Sequence, residues 1–182
     1  MGLDIHAASH LRYLRPIPEH EGLDRLEAEA LQQGRCLDEA YFLLFPNHPS
    51  HRRQLAGTES GIYEYSSASE QHHFRVGAYS EYGSWRDQLS RCMLGASAED
   101  VWAAKRKYSG RPFVELIDFT DCDGRIGTRV ARKLDAEFQA HAAEAEEFAS
   151  SLGEEGRGWL EIYKEFARAF ELAAQDGALA FC

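Results

Sequence analysis

Trp159, Tyr163, Phe166 and Phe170 recur at intervals of three and four residues, which lines four aromatic rings along one stripe of a single helix. Such a stripe needs an apolar partner, and the preceding segment supplies one. Val130, Leu134, Phe138, Ala145 and Phe148 share a face of a helix predicted from about Thr128 to Ala149. The second helix is predicted from about Gly158 to Ala174. Between them, residues 150–158 hold three glycines and two serines, the composition of a flexible connection, so the two helices are expected to form an antiparallel hairpin.

Upstream the periodicity changes. Leu3 and Ile5 alternate with Asp4 and His6, a half-buried strand pattern that His10–Arg15 continues until Pro16 and Pro18 stop it. Leu23–Gln33 suits a helix. Tyr41–Phe45 reads as a short buried run, ended by the turn cluster Pro46–Pro49. Residues 61–66 and 71–77 flank Ser66–Glu70 and read as a hairpin with a five-residue connection. A helix containing Trp85, Leu89, Cys92 and Met93 follows, and Ser97 is positioned to cap the next one. Arg111–Asp118 reads as a further strand. The expected class is α+β: a small mixed or antiparallel sheet packed by helices, with a C-terminal helical hairpin. One domain is expected over 1–182, with a sheet-containing core over 1–127 and the hairpin and tail over 128–182 packed on it.

Charge narrows the partners. The net charge is −10, but it is unevenly placed. Residues 135–176 carry 11 acidic against 3 basic side chains, whereas residues 1–134 carry 19 against 17. Duplex nucleic acid and anionic lipid are bound through Lys and Arg, so neither is an expected partner. No apolar run approaches the roughly 18 residues of a membrane span. Met1–His10 lacks the basic and apolar regions of a secretory leader, and His6 occupies the place where myristoylation after Gly2 requires Ser or Thr. The four cysteines, Cys36, Cys92, Cys122 and Cys182, are widely spaced, as expected of reduced thiols in a cytoplasm. A Cys122–Cys182 disulfide is an alternative that spacing does not test.

Three groups of residues carry chemistry. The first is Asp118-Phe-Thr-Asp-Cys-Asp-Gly-Arg-Ile-Gly-Thr-Arg129. Asp121, Asp123, Gly124 and Ile126 fit inner positions of a calcium loop, but Phe119 and Val130 fall where its anchoring carboxylates belong, so an EF-hand is rejected. Asp118, Asp121 and Asp123 remain candidates for a looser divalent-cation site. The competing reading is a turn whose aspartates cap backbone amides. In the second group, the helix start at Gly127 and Thr128, fringed by Arg125, Arg129 and Arg132, has the makings of an anion site. The third, Phe74–Arg86, brings Arg75, Ser80, Tyr82, Trp85 and Arg86 around a strand-to-helix turn, where a guanidinium can fork to phosphate and a ring can stack. Ordinary core packing of those rings is the competing reading. The histidines are scattered. His48 and His51 lack partners for zinc, and His72 and His73 point to opposite sides of a strand. His6 would approach Glu115 or Asp118 if their strands were neighbours. No cofactor is expected beyond such a cation.

Gly2-Leu-Asp-Ile, Phe74-Arg-Val-Gly-Ala-Tyr-Ser-Glu-Tyr with Trp85-Arg86, and Phe113-Val-Glu-Leu-Ile-Asp-Phe-Thr-Asp-Cys-Asp-Gly-Arg-Ile-Gly resemble a group of small uncharacterised phage and prophage proteins. Its members typically read G-L-D-I, F-R-x-G-S-Y-S-G-Y-x-x-W-R and F-x-E-L-I-x-F-x-D-x-E-G-x-I-G. The likeness covers the N-terminus and about residues 72–180. It departs at Ala78, Glu81 and Asp123, and a carboxylate at Glu81 would repel an anionic ligand nearby. The resemblance implies a phage accessory protein in the bacterial host cytoplasm, of the kind that sequesters a nucleotide signal of host defence or masks a host protein.

These readings define three expectations. One is a non-enzymatic protein that binds a small anionic, nucleotide-like ligand through the two arginine-bearing segments, which requires both to line one pocket. Another is an acidic inhibitor that binds a host protein. The third is a metal-assisted hydrolase built on Asp118, Asp121 and Asp123. An exposed apolar surface on the hairpin would make a homo-oligomer natural.

Overall fold

The structure, a computed structural model, describes residues 2–17, 21–32, 34–46, 52–119 and 124–182. Asp121, Cys122, Asp123, His48 and His51, with the expectations placed on them, lie outside the described residues. Among the described residues, β1 (Gly2–Ala8), β2 (Leu11–Arg15), β3 (Tyr41–Leu44), β4 (Gly61–Tyr65), β5 (Gln71–Ala78), β6 (Arg125–Gly127) and β7 (Ala178–Phe181) form two antiparallel sheets. One has the order β5-β1-β7-β6 and the other β2-β4-β3. The helices are α1 (Glu21–Gln32), α2 (Leu37–Ala40), α3 (Tyr79–Leu94), α4 (Ala98–Ala103), α5 (Lys105–Tyr108), α6 (Val114–Ile117), α7 (Thr128–Ala140), α8 (Ala142–Ser151) and α9 (Glu154–Ala173). The chain is an α+β protein, as the sequence patterning predicts.

The expected hairpin between residues 61–66 and 71–77 does not form. β4 pairs with β2 and β3, whereas β5 pairs with β1. The two partners instead run as one long ribbon, β1–β2 against β4–β5, which bends where it passes from one sheet to the other. At the bend His10 adopts φ 50°. Ser9 and Glu70 exchange bonds, Ser9 N–H donating to the Glu70 carbonyl (3.0 Å) and Glu70 N–H to Ser9 Oγ (2.9 Å). A ribbon that bends in this way supplies strands to two packed sheets.

The four-stranded sheet is covered on both faces. Leu3, Ile5, Leu179 and Phe181 point into the main core with α3 and α9, whereas Ala8, Ala178 and Ala180 meet Phe42, Leu44 and Tyr63 of the smaller sheet. β7 is therefore buried throughout. Large side chains face the helices and alanines face the second sheet, which explains why its four apolar residues do not alternate with polar ones. The tail thus enters the sheet between β1 and β6 rather than packing on it from outside.

The C-terminal hairpin forms, with two adjustments. Its first arm is broken at His141 into α7 and α8, where the Tyr163 hydroxyl donates to the Phe138 carbonyl (3.0 Å). A side chain competing for a helical carbonyl is a recognised cause of a kink. The connection is shorter than expected, because α8 runs to Ser151 and α9 starts at Glu154. The aromatic stripe of α9 is buried as predicted. The large hydrophobic side chains exposed among the described residues are Leu14, Leu31 and Tyr79. None of them is on the hairpin, so the apolar surface invoked for an oligomer is absent there.

Arg111–Asp118 is not a strand. Phe113 takes φ 59°, and one turn of helix, α6, follows. Short apolar runs are ambiguous between helix and strand, and here Val114, Leu116 and Ile117 are buried from a helical turn. Ser97 caps α4 as expected, its side chain accepting from Asp100 N–H (3.1 Å).

Candidate functional site

The residues of the second arginine-bearing segment divide between core and surface. Tyr82 and Trp85 are each 2% exposed, so their faces serve packing. Trp85 and Trp159 exchange hydrogen bonds, each indole N–H donating to the other's carbonyl (3.2 and 3.3 Å). Arg86 is also buried. Its guanidinium lies over the rings of Tyr82 (5.0 Å) and Trp102 (4.9 Å) and donates to the Phe119 carbonyl (2.6 Å), which also accepts from the Tyr82 hydroxyl (3.2 Å). The expected pairing of guanidinium with flat rings is present, but it grips the backbone of the Asp118-containing segment instead of a ligand. Ser80 is exposed in the first turn of α3. Glu81 binds the Ala78 N–H at the start of α3, which makes it a helix cap.

The basic fringe of α7 is dispersed rather than gathered on one side. Gly127 is buried, its N–H bound to the Gln54 carbonyl (2.9 Å), and the Thr128 hydroxyl donates to the Gly177 carbonyl (2.6 Å). Arg132 reaches the Ala174 carbonyl and Asp176. Arg129 turns into a cleft lined also by Lys105 and Asp118. Arg125 reaches a different cavity.

Asp118 is paired with two cationic side chains. Its side chain is 3% exposed and is held between Arg53 and Lys105, whose Nζ lies 2.8 Å from Oδ1. No cluster of three or more His, Cys, Asp or Glu among the described residues is arranged to hold a metal ion. Glu115 binds Lys133 (2.6 Å). His6 lies in neither neighbourhood, since the segment carrying Glu115 and Asp118 is helical and joins no sheet beside β1.

What the fold does bring together is Arg75 and Arg125, which line one cavity of about 420 Å³ beside Asp4, His6, Asp38 and His73. β1 and β5 place Asp4 opposite Arg75 and His6 opposite His73. The two imidazoles stack at 4.0 Å, and His6 also meets Phe42 (5.2 Å) and Tyr65 (6.2 Å) of the smaller sheet. His72, one residue away, faces α9 and binds Glu165 (2.7 Å). The Tyr65 hydroxyl donates to the Asp38 carbonyl (2.9 Å), tying the α2 rim to β4. Arg125 donates to the carbonyls of Leu43, Gly124 and Phe181 (3.1–3.2 Å), so it braces the wall between the sheets. Arg75 is the more available cation, 62% exposed and 4.0 Å from Asp4.

The cavity's surroundings keep one member of the histidine pair uncharged. Burial, then the neighbouring His73 charge, pushes the His6 imidazole down to about 4, with Arg125 adding to the shift and a Gln71 hydrogen bond opposing it. His6 is therefore neutral at pH 7, and its Nε2 is buried without a hydrogen-bond partner among the described residues. Sequence patterning placed His6 on a polar strand face, but its partner His73 and the cavity above them depend on the β1–β5 register and the second sheet.

No family model, curated protein or solved structure matches this chain. None of the helices among the described residues is long and apolar enough to cross a membrane.

Proposed function

We propose that the protein binds a small, nucleotide-like ligand in the cavity between the two sheets. The observation that carries this reading is the presence there of Arg75 and Arg125, fifty residues apart in sequence, beside a stack of flat rings. A guanidinium takes a phosphate or carboxylate, and imidazole and phenyl rings take a planar ring. Asp4 and Asp38 in the same cavity would repel a bare anion. They favour a ligand that also presents N–H or O–H donors, as an amino-bearing base or a ribose does. Nothing in this arrangement calls for a reaction, so the proposed role is binding rather than catalysis. The resemblance to small phage and prophage proteins supports a setting in the host cytoplasm, where such binding would sequester a host defence signal.

Titration with mono-, di- and cyclic nucleotides, read by thermal shift and calorimetry, tests the proposal. A saturable stabilisation is expected with at least one class, weakened about tenfold or more in Arg75→Ala through loss of a charge-assisted contact. Arg75 is exposed, so this variant keeps its fold. Absence of any shift across the series, or undiminished affinity in Arg75→Ala, overturns it.

A further inference from the structure

The two carboxylates of the cavity between the sheets come from different elements and are not equivalent. Asp4, on β1, stands opposite Arg75 of β5 and 4.0 Å from its guanidinium. It is the counter-charge of that arginine, and its main chain exchanges bonds with Cys182 (3.0 and 2.9 Å). Asp38 lies on α2, which leads into β3 of the other sheet. Its side chain is exposed, and its carboxylate joins no ion pair or hydrogen bond among the described residues.

The backbone beneath Asp38 is nevertheless held. Its carbonyl accepts the Tyr65 hydroxyl (2.9 Å), and Glu39, one residue on, accepts the Cys36 N–H (2.9 Å) at the start of α2. Glu39 therefore makes the cap, and the Asp38 carboxylate has no structural task there. Burial, then the Asp38 charge, raises the Tyr65 hydroxyl above its ordinary value, which is the effect of a carboxylate close by. Tyr65 in turn lies 6.2 Å from the His6 ring, which stacks on His73. An acceptor-only group thus stands at the rim of a surface of flat rings.

A carboxylate presents two oxygens side by side and no donor. Among the common bases, guanine alone matches it with two adjacent donors, N1–H and the 2-amino group. Adenine and cytosine offer an amino group next to a ring nitrogen whose lone pair would face the second oxygen. Uracil offers one N–H between two carbonyls. We propose that the nucleotide taken by this cavity is a guanine nucleotide, with its base edge on the Asp38 carboxylate and its phosphate on Arg75, an assignment that rests on the cavity being a nucleotide site. The purine lies against His73 and Phe42, which line the same cavity. The volume of about 420 Å³ is within the range of small-ligand pockets.

Calorimetric titration with guanosine, inosine, adenosine and xanthosine monophosphates at constant ionic strength tests the assignment. Guanosine monophosphate should bind at least about tenfold more tightly than adenosine monophosphate, the discrimination expected of one bidentate pair. Inosine monophosphate lacks the 2-amino group and should fall between them. In Asp38→Asn the preference for guanosine over adenosine monophosphate should disappear. Xanthosine monophosphate should then bind more tightly than guanosine monophosphate, because an amide N–H can donate to the carbonyl that xanthine carries in place of the 2-amino group. A purely structural role for Asp38 would not produce that exchange, and matching thermal melts verify that the variant keeps its fold. Binding of none of the four overturns the proposal together with the nucleotide reading. Binding that Arg75→Ala weakens, but with a guanosine preference below tenfold or one that survives in Asp38→Asn, leaves that reading standing and overturns the assignment of guanine.

Discussion

Arg86 carries a full charge to a place where 6% of its surface meets water, and its neighbours there are the rings of Tyr82 and Trp102 and the carbonyl of Phe119. Only a planar guanidinium can lie between two rings and still direct an N–H along its edge at a backbone oxygen. Truncation would leave that carbonyl with the weaker Tyr82 hydroxyl bond and open a void between the two rings, so Arg86→Ala is expected to cost about 3 kcal/mol in denaturant unfolding. Arg86→Lys should recover little of it. A loss below about 1 kcal/mol would show that the contact contributes no more than a surface pair does. Sequence alone reveals that guanidinium and rings belong together in Phe74–Arg86. It does not reveal that their partner is the chain's own backbone, because the Phe119 carbonyl arrives through folding from 33 residues away. Glu81 is a similar case: charge suggested repulsion of a ligand, and local geometry makes it a cap.

Among the elements, α9 was the most legible, because a 3.6-residue stripe of four large rings has no other low-energy arrangement. Its start was less so, since two glycines in the first turns resemble a linker. They occupy different environments. A Cβ at Gly156 would stand 1.8 Å from the Ala149 carbonyl oxygen, whereas one at Gly158 meets nothing within 4 Å. Gly158→Ala should therefore stabilise the protein by about 0.5–1 kcal/mol through helix propensity. Gly156→Ala should destabilise it by about 1–3 kcal/mol, because α8 and α9 must separate. Melting curves of the two variants check this, and shifts of the same sign would refute the assigned packing. β7 escaped the sequence reading because Ala178–Phe181 is an apolar run without alternation, and α6 because Val114-Glu115-Leu116 alternates as a strand would while folding as one helical turn.

At the scale of the whole molecule, the meeting of the two sheets over His6 makes stability depend on pH. The folded His6 binds its proton only near pH 4, because of burial and then the adjacent His73, whereas the unfolded chain binds it near the ordinary 6.5. The stabilising effect of keeping His6 neutral is fully present above pH 6.5 and declines as pH falls from 6.5 towards 4. Denaturant midpoints should accordingly drop between pH 7.5 and pH 5, and by less in His6→Gln. Equal drops in both proteins would mean that His6 is not buried between the sheets. The same packing gives Arg125 its place, since three carbonyls from β3, Gly124 and β7 converge on it.

Periodicity by itself determined the helical hairpin, the strand character of the N-terminus and the α+β class, because each depends on neighbours within about two helical turns or one strand, and a count of side chains places the acidic charge over residues 135–176. Tertiary structure alone decided that the β1–β2 and β4–β5 ribbon bends into two sheets, that the tail becomes an inner strand, and that Arg75 and Arg125 share one cavity while Arg129 faces another. Those outcomes depend on register and on contacts between distant segments, which a one-residue slip would reverse and which no local pattern encodes.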